Sequence, residues 1–172
     1  MTLALFYIAG AIALAATGIA LTRVNAIHAL IYLVVSLLAV AFIFFLLGAP
    51  FAAVLEIVIY AGAIMVLFVF VIMMLNLGNR GTVVEQEMMN PSVWIIPSLL
   101  CLILLIELSL SIASLKSETN PIVVSAKEIG ISLFGPYVLA VEIASMLLLA
   151  GLVAANHIGR RLSKMEQEKD EG

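Results

Sequence analysis

The chain has 172 residues, of which 65% are hydrophobic and 11% charged, with a formal net charge of −3. Soluble domains hold about 45–50% apolar and about 25% charged residues, so a water-soluble fold of this length is excluded and the solvent is lipid. A basic face for nucleic acid, a phosphate loop and a His–Cys metal spacing are all absent from the sequence, His28 and His157 stand apart, and the single cysteine, Cys101, permits no intrachain disulfide.

Crossing the hydrocarbon core takes roughly 20 apolar residues, and five runs of that kind predict an all-α polytopic membrane protein with five transmembrane helices. The first covers about residues 2–22, polar only at Thr2, Thr17 and Thr22. It lacks a positively charged leader and a cleavage site, and is read as a retained helix rather than a signal peptide. After the break "TRVNAIH", Asn25 is placed to cap the second span, about 26–47. "GAP" at 48–50 punctuates the chain, and Pro50 suits the first turn of the third span, about 51–77. That span exceeds the minimum and has room for tilt or an irregular turn. "GNRGTVVEQEMMNPS", residues 78–92, is a polar loop. The fourth span covers about 93–114, with Pro97 near its start. In the second loop, residues 116–135, Ser125 and Glu128 form a capping-box pattern that predicts a short interfacial helix. The fifth span covers about 136–156 with Pro136 in its opening turn, and residues 160–172 form a polar, frayed cytoplasmic tail.

With five spans the termini lie on opposite sides. One side carries Arg23, Arg80, Arg160, Arg161, Lys164 and Lys169, the other only Lys116 and Lys127. Basic residues mark the cytoplasmic side, which puts the C-terminus in the cytoplasm and the N-terminus outside. No internal repeat is visible, whereas a self-contained transporter is usually built from two matching halves. The chain therefore reads as one subunit of a larger membrane assembly.

Three acids interrupt the spans: Glu56, Glu107 and Glu142. An acid at the bilayer centre costs on the order of 2.5–3.5 kcal/mol on the insertion scale, but all three lie nearer the outer ends of their spans. Glu56 is roughly 7–8 Å deep, counted from Phe51 at 1.5 Å per residue. Two readings of Glu56 stand side by side: an element of a hydrated proton path, or a partner for a basic or hydroxyl group of another subunit. Glu142 and, more so, Glu107 lean toward interface packing.

Tyr60 follows Glu56 by four residues, one helical turn along the same face. The triplet Ala61-Gly62-Ala63 follows at once. Glycine in lipid favours close helix packing, and in so long a span it also leaves room for a π-bulge, an irregularity frequent at functional sites. One inserted residue would turn the following face by about 100°, exchanging which of Met65, Val66, Phe68, Phe70, Met73 and Met74 faces a neighbouring cavity. Small residues four apart, Ala140 with Ala144 and Gly151 with Ala155, suit helix contacts, while Trp94 and Tyr137 suit the aromatic belts.

"FYIAG", "ALIYLVVSLLAV", "EIVIYAGAIMVLFVFVIMMLNLG" and "LFGPYVLAVEIASMLLLAGLVAA" together resemble the J-subunit family of bacterial NADH:quinone oxidoreductase, respiratory complex I, over about residues 5–159. The resemblance implies a membrane-arm subunit of the bacterial inner membrane that helps couple quinone reduction to proton translocation. It implies a third helix that interconverts between bulged and regular winding at Tyr60-Ala61-Gly62-Ala63, with Glu56 beside the path. It implies partners in the quinone-site H subunit, the small A and K subunits and the antiporter-like N subunit, besides the lipid bilayer and without nucleic acid. It implies a chain with no redox centre of its own and no catalytic, cofactor-binding or metal-binding residues, the FMN, iron–sulfur clusters and quinone being held elsewhere in the complex. The rivals are a subunit of a related membrane hydrogenase or cation antiporter complex, and a purely structural membrane-arm scaffold.

Overall fold

The computed structural model describes residues 2–75, 91–115 and 123–170. The sequence-predicted loop at 78–92 lies outside them but for Pro91 and Ser92, as do Lys116 and the start of the second loop. Among the described residues the elements are α1 (Thr2–Thr22), α2 (Ala26–Leu46), α3 (Pro50–Leu55), a π-helical segment π1 (Glu56–Ile64), α4 (Met65–Leu75), α5 (Pro91–Leu115), α6 (Ala126–Phe134) and α7 (Val138–Asp170). Five helical stretches are long and apolar enough to cross a membrane: Leu3–Thr22, Ala26–Leu46, Pro50–Met74, Trp94–Ala113 and Val138–Arg160. All-helical spans follow from the solvent, because lipid offers no partner to an open backbone N–H or C=O. The chain divides into two units, Met1–Ser125 and Ala126–Gly172.

In the first unit α1 packs along α2, and α2 also touches α3, π1, α4 and α5. The core is built from Leu5, Ala9, Ile12 and Ala16 of α1, Val35, Ala39 and Phe42 of α2, and Leu104 of α5. Ala9, Ala16 and Ala39 are fully enclosed, so small side chains let the backbones approach, the usual basis of helix association in lipid. A polar clasp crosses the same seam: Ser36 Oγ donates to the Ala13 carbonyl at 3.0 Å and lies 2.8 Å from Thr17 Oγ1. At the α1–α2 turn the Arg23 guanidinium sits 5.3 Å from the centre of the Tyr32 ring, a cation–π contact.

The helix ends obey local chemistry. Asn25 caps α2, its side-chain oxygen accepting from the Ile27 N–H at 3.0 Å. At the far end Gly48 has φ 80°, Gly48 N–H donates to the Phe45 carbonyl and Ala49 N–H to the Phe44 carbonyl. This is a Schellman motif, and its left-handed residue is where glycine is least penalised. The Val124 N–H then donates to the Gly48 carbonyl at 2.8 Å. Pro50 opens α3 at its first position, where a missing N–H costs nothing. Pro97, by contrast, lies inside α5, because the helix begins at Pro91, two residues before the sequence-predicted start.

In the second unit α6 begins directly after Ser125, the predicted cap. Gly135, Pro136 and Tyr137 form a turn in which the Tyr137 N–H reaches the Ser132 carbonyl and the Val138 N–H reaches that of Gly135. Pro136 therefore belongs to the turn and α7 opens at Val138. A Cβ at Gly135 would lie 2.7 Å from the Ile131 carbonyl oxygen, which explains a glycine there. The backbone of α7 stays helical to Asp170 instead of fraying after residue 159. "RLSKMEQEK" is rich in strong helix formers, which polarity alone does not reveal.

Candidate functional site

The third span changes its winding twice. At its entry the Glu56 N–H donates to the carbonyls of Ala52 and Ala53, as in a tightened α turn. At its exit the Met65 N–H donates to Tyr60, five residues back, and to Gly62. Between them nine residues, Glu56–Ile64, are π-helical. Such winding makes up well under 1% of residues in globular proteins and occurs mostly as single-turn bulges, so a stretch of nine flanked by ordinary α-helix is a marked local feature.

Gly62 lies inside that segment. A Cβ added there would lie 3.2 Å from the Ile57 carbonyl oxygen, the carbonyl five residues back. An alanine would need a few tenths of an ångström of movement from a backbone atom, and a β-branched residue more. The π segment and this glycine are therefore sterically matched.

Glu56 opens the π segment and is half-buried, while Tyr60 is exposed. No hydrogen bond joins the two among the described residues. Ala61 and Gly62 are half-buried and Ala63 exposed. Just beyond the segment Met65 is buried at 8% exposure, whereas Val66 and Phe68 are exposed. The acid, the phenol and the glycine thus share one irregular segment, and the residues that follow it divide between core and surface.

The other two acids are placed differently. Glu142 is exposed in α7, in the second unit, where its backbone carbonyl accepts from Ser145 Oγ at 2.8 Å. Glu107 is only 3% exposed, and both of its carboxyl oxygens are enclosed with no hydrogen-bond partner among the described residues. Counting along the helix puts Glu107 near the end of its span but says nothing of its direction. It belongs to the face of α5 that also buries Leu104 and Ser111. Leaving a buried polar atom unsatisfied costs about 1–3 kcal/mol. Replacing Glu107 with methionine, similar in length and apolar, is therefore expected to stabilise the chain by about that amount. The thermal midpoint of the purified assembly checks it, and a lowered midpoint would reveal a bonding partner for the acid.

Among the described residues no group of three or more His, Cys, Asp or Glu side chains is arranged to hold a metal. One feature of the first unit left no mark in the sequence pattern: an apolar groove of about 440 Å³ between α2, the third span and α5. Ala41 and Ala53, both buried, are among the residues that line it.

The chain is similar to known proteins over most of its length. The family described as NADH-ubiquinone/plastoquinone oxidoreductase chain 6 matches residues 15–158. NADH-quinone oxidoreductase subunit J of Pseudomonas aeruginosa is 54% identical over 161 residues, which cover 92% of this chain and 97% of that protein. The subunit of the same name from Escherichia coli strain K12 is 55% identical over 156 residues, 90% of this chain and 85% of its own. That of Buchnera aphidicola subsp. Schizaphis graminum is 49% identical over 156 residues, 90% of this chain and 96% of its own.

Proposed function

The chain belongs to the family of NADH-ubiquinone/plastoquinone oxidoreductase chain 6, a membrane-arm subunit of NADH-quinone oxidoreductase, and from that premise we propose that its third span links quinone reduction elsewhere in the complex to proton translocation by changing its winding. Identity of about half to subunit J proteins favours this assembly over a hydrogenase or a cation antiporter.

The observation that carries the reading is the nine-residue π segment with Gly62 inside it. Passing between five-residue and four-residue hydrogen-bond steps keeps nearly all of the backbone bonded within the helix, which lipid demands. Each residue so taken up turns the following helix by about 100°. Met65, Val66 and Phe68 stand first in line, and a rotation would trade the buried methionine for a neighbour. Apolar side chains that swing into or out of a narrow passage make or break a water thread. Glu56 and Tyr60 lie on the polar side of the segment, where they hold water beside the switching turn.

In this reading the chain is a coupling element and not a catalytic one. It binds no redox group, and FMN, iron–sulfur clusters and quinone belong to other subunits. Its neighbours are the quinone-site H subunit, the small A and K subunits and the antiporter-like N subunit, in the bacterial inner membrane. The excess of basic residues beside Arg23, Arg160 and Arg161 favours a cytoplasmic C-terminus and an outward N-terminus.

Density maps of the intact complex, at rest and during turnover with NADH and quinone, test the proposal. The expected result is a change of winding over residues 56–64 accompanied by altered water density beside Glu56 and Tyr60. The same π winding and the same wetting in both states would overturn it.

A further inference from the structure

We propose that Glu107 is a proton-binding site sealed inside the α1–α2–α5 bundle, apart from the π segment, and that its proton exchanges only when α5 parts from the seam between α1 and α2. Leu100, Ile103 and Leu104 of α5 pack on the core that α1 and α2 build. Glu107 and Ser111 continue that face at helical spacing, and both are buried. Glu107 is 3% exposed, and both of its carboxyl oxygens are enclosed without a hydrogen-bond partner among the described residues. It does not line the groove beside the third span. The acid thus faces neither lipid nor the groove, but the inside of the bundle.

Charge decides what such a site can hold. The helices packed on α5 are α2 and α1. No residue of α1 is charged, and its one titratable group, Tyr7, is exposed. The titratable groups of α2 are His28 and Tyr32, both in its first two turns, and the Arg23 guanidinium lies over the Tyr32 ring. On α5 itself the only other one is the Cys101 thiol. Successive spans alternate in direction, so α2 and α5 run the same way, and Leu104 shares its cluster with Phe42. His28 lies about 21 Å of helix before Phe42, at 1.5 Å per residue, whereas Glu107 lies a turn beyond Leu104 in the opposite sense. No cation of these helices reaches the carboxyl, and its enclosure shuts out a cation from another subunit. An ionised carboxylate without a counter-charge is among the costliest groups to bury, and the neutral acid escapes most of that cost. The ligand that meets this need is the proton. Its departure leaves a charge that only water can solvate, and water reaches the carboxyl once α5 moves off the seam.

The test uses the whole complex in lipid vesicles, treated with dicyclohexylcarbodiimide at pH 6 and at pH 8. This reagent dissolves in lipid and adds to proton-bearing carboxyls. The acid proton moves to one nitrogen and the carboxyl oxygen bonds to the central carbon. The acyl carbon then leaves that oxygen for the other nitrogen, giving a stable N-acylurea that mass spectrometry locates. The expected result is an adduct on Glu107 whose rate of formation agrees within about twofold at the two pH values. A carboxyl in contact with water, near the usual value of about 4.3, loses its proton-bearing fraction roughly hundredfold over that interval, and a fall on that scale at Glu107 would overturn the proposal. So would the absence of any adduct after prolonged exposure, since a site that never opens exchanges no proton. Leu104→Ala removes packing one turn away on the same face and is expected to speed the labelling by about tenfold or more. An unchanged rate in an assembled Leu104→Ala complex refutes the seal. Should that variant fail to assemble, the two pH arms on the unaltered complex decide.

Discussion

Replacing Gly62 with valine is expected to cut proton pumping severalfold or more while NADH oxidation by an artificial acceptor stays within about twofold of wild type. A Cβ at position 62 stands 3.2 Å from the Ile57 carbonyl oxygen, and valine adds two methyl groups whose rotamer is restricted in a helix. If crowding penalises the π winding by about 1–3 kcal/mol, the balance between the two windings shifts by roughly 5–150-fold. A cycle that uses both windings stops when either is held, so the direction of the lock does not matter. Gly62→Ala should fall between, because it brings the contact without the branch. Alanine also raises helix propensity by about 0.8–1.0 kcal/mol over glycine, so Gly18→Ala in α1 is the control: a Cβ there meets nothing within 4 Å. Reconstituted vesicles with a pH-sensitive dye give pumping, and the amount of assembled complex must be matched first. Equal loss of pumping and of NADH oxidation would point to damaged assembly, and full pumping in the valine variant would remove the switch.

The five spans were legible because lipid imposes a length and an apolar composition that little else imitates. Asn25 and Pro50 were legible for a similar reason: capping oxygen and missing N–H act over two or three residues, within reach of a local reading. The extent of the π segment was not. A five-residue and a four-residue hydrogen-bond step both satisfy the backbone, so the choice depends on packing. The third span meets α2 along α3, π1 and α4, contacts that no sequence window contains. Gly62 hinted at an irregular turn, but nothing in "EIVIY" says that it starts at Glu56.

Glu107 shows the other limit. A helix that is apolar on every side has no hydrophobic stripe to tell its buried face from its lipid face. Its neighbours Leu104 and Leu108 are alike in hydropathy to Leu105 and Ile106, yet Leu104 is buried and Leu105 and Ile106 are exposed. Depth could be counted along the chain, but azimuth could not. The groove was hidden by the same uniformity, since its walls are leucine, phenylalanine and alanine like the surface around them.

Glu56 provides the sharper test of what the polar side of the segment does. Glu56→Leu is expected to lower pumping severalfold, and Glu56→Gln to keep it within about twofold of wild type. The acid is half-buried at the first residue of the π segment, and no described side chain bonds to it. Its role in the proposed switch is to hold water beside the turn. An amide accepts and donates hydrogen bonds as readily as that task needs. Leucine does neither, and a bridging water that loses a polar partner is held less well by about 0.5–1.5 kcal/mol for each bond lost. Were Glu56 itself to take up and release the proton, glutamine would be no better than leucine. The loss would then approach the roughly 10²–10⁴-fold that a proton-transfer group supplies. The ratio of the two variants thus separates water holder from proton carrier without any assumption about absolute rates. Tyr60→Phe extends the series one turn along. It removes a single hydroxyl from an exposed ring, and its effect should be smaller than that of Glu56→Leu if both groups wet the same passage.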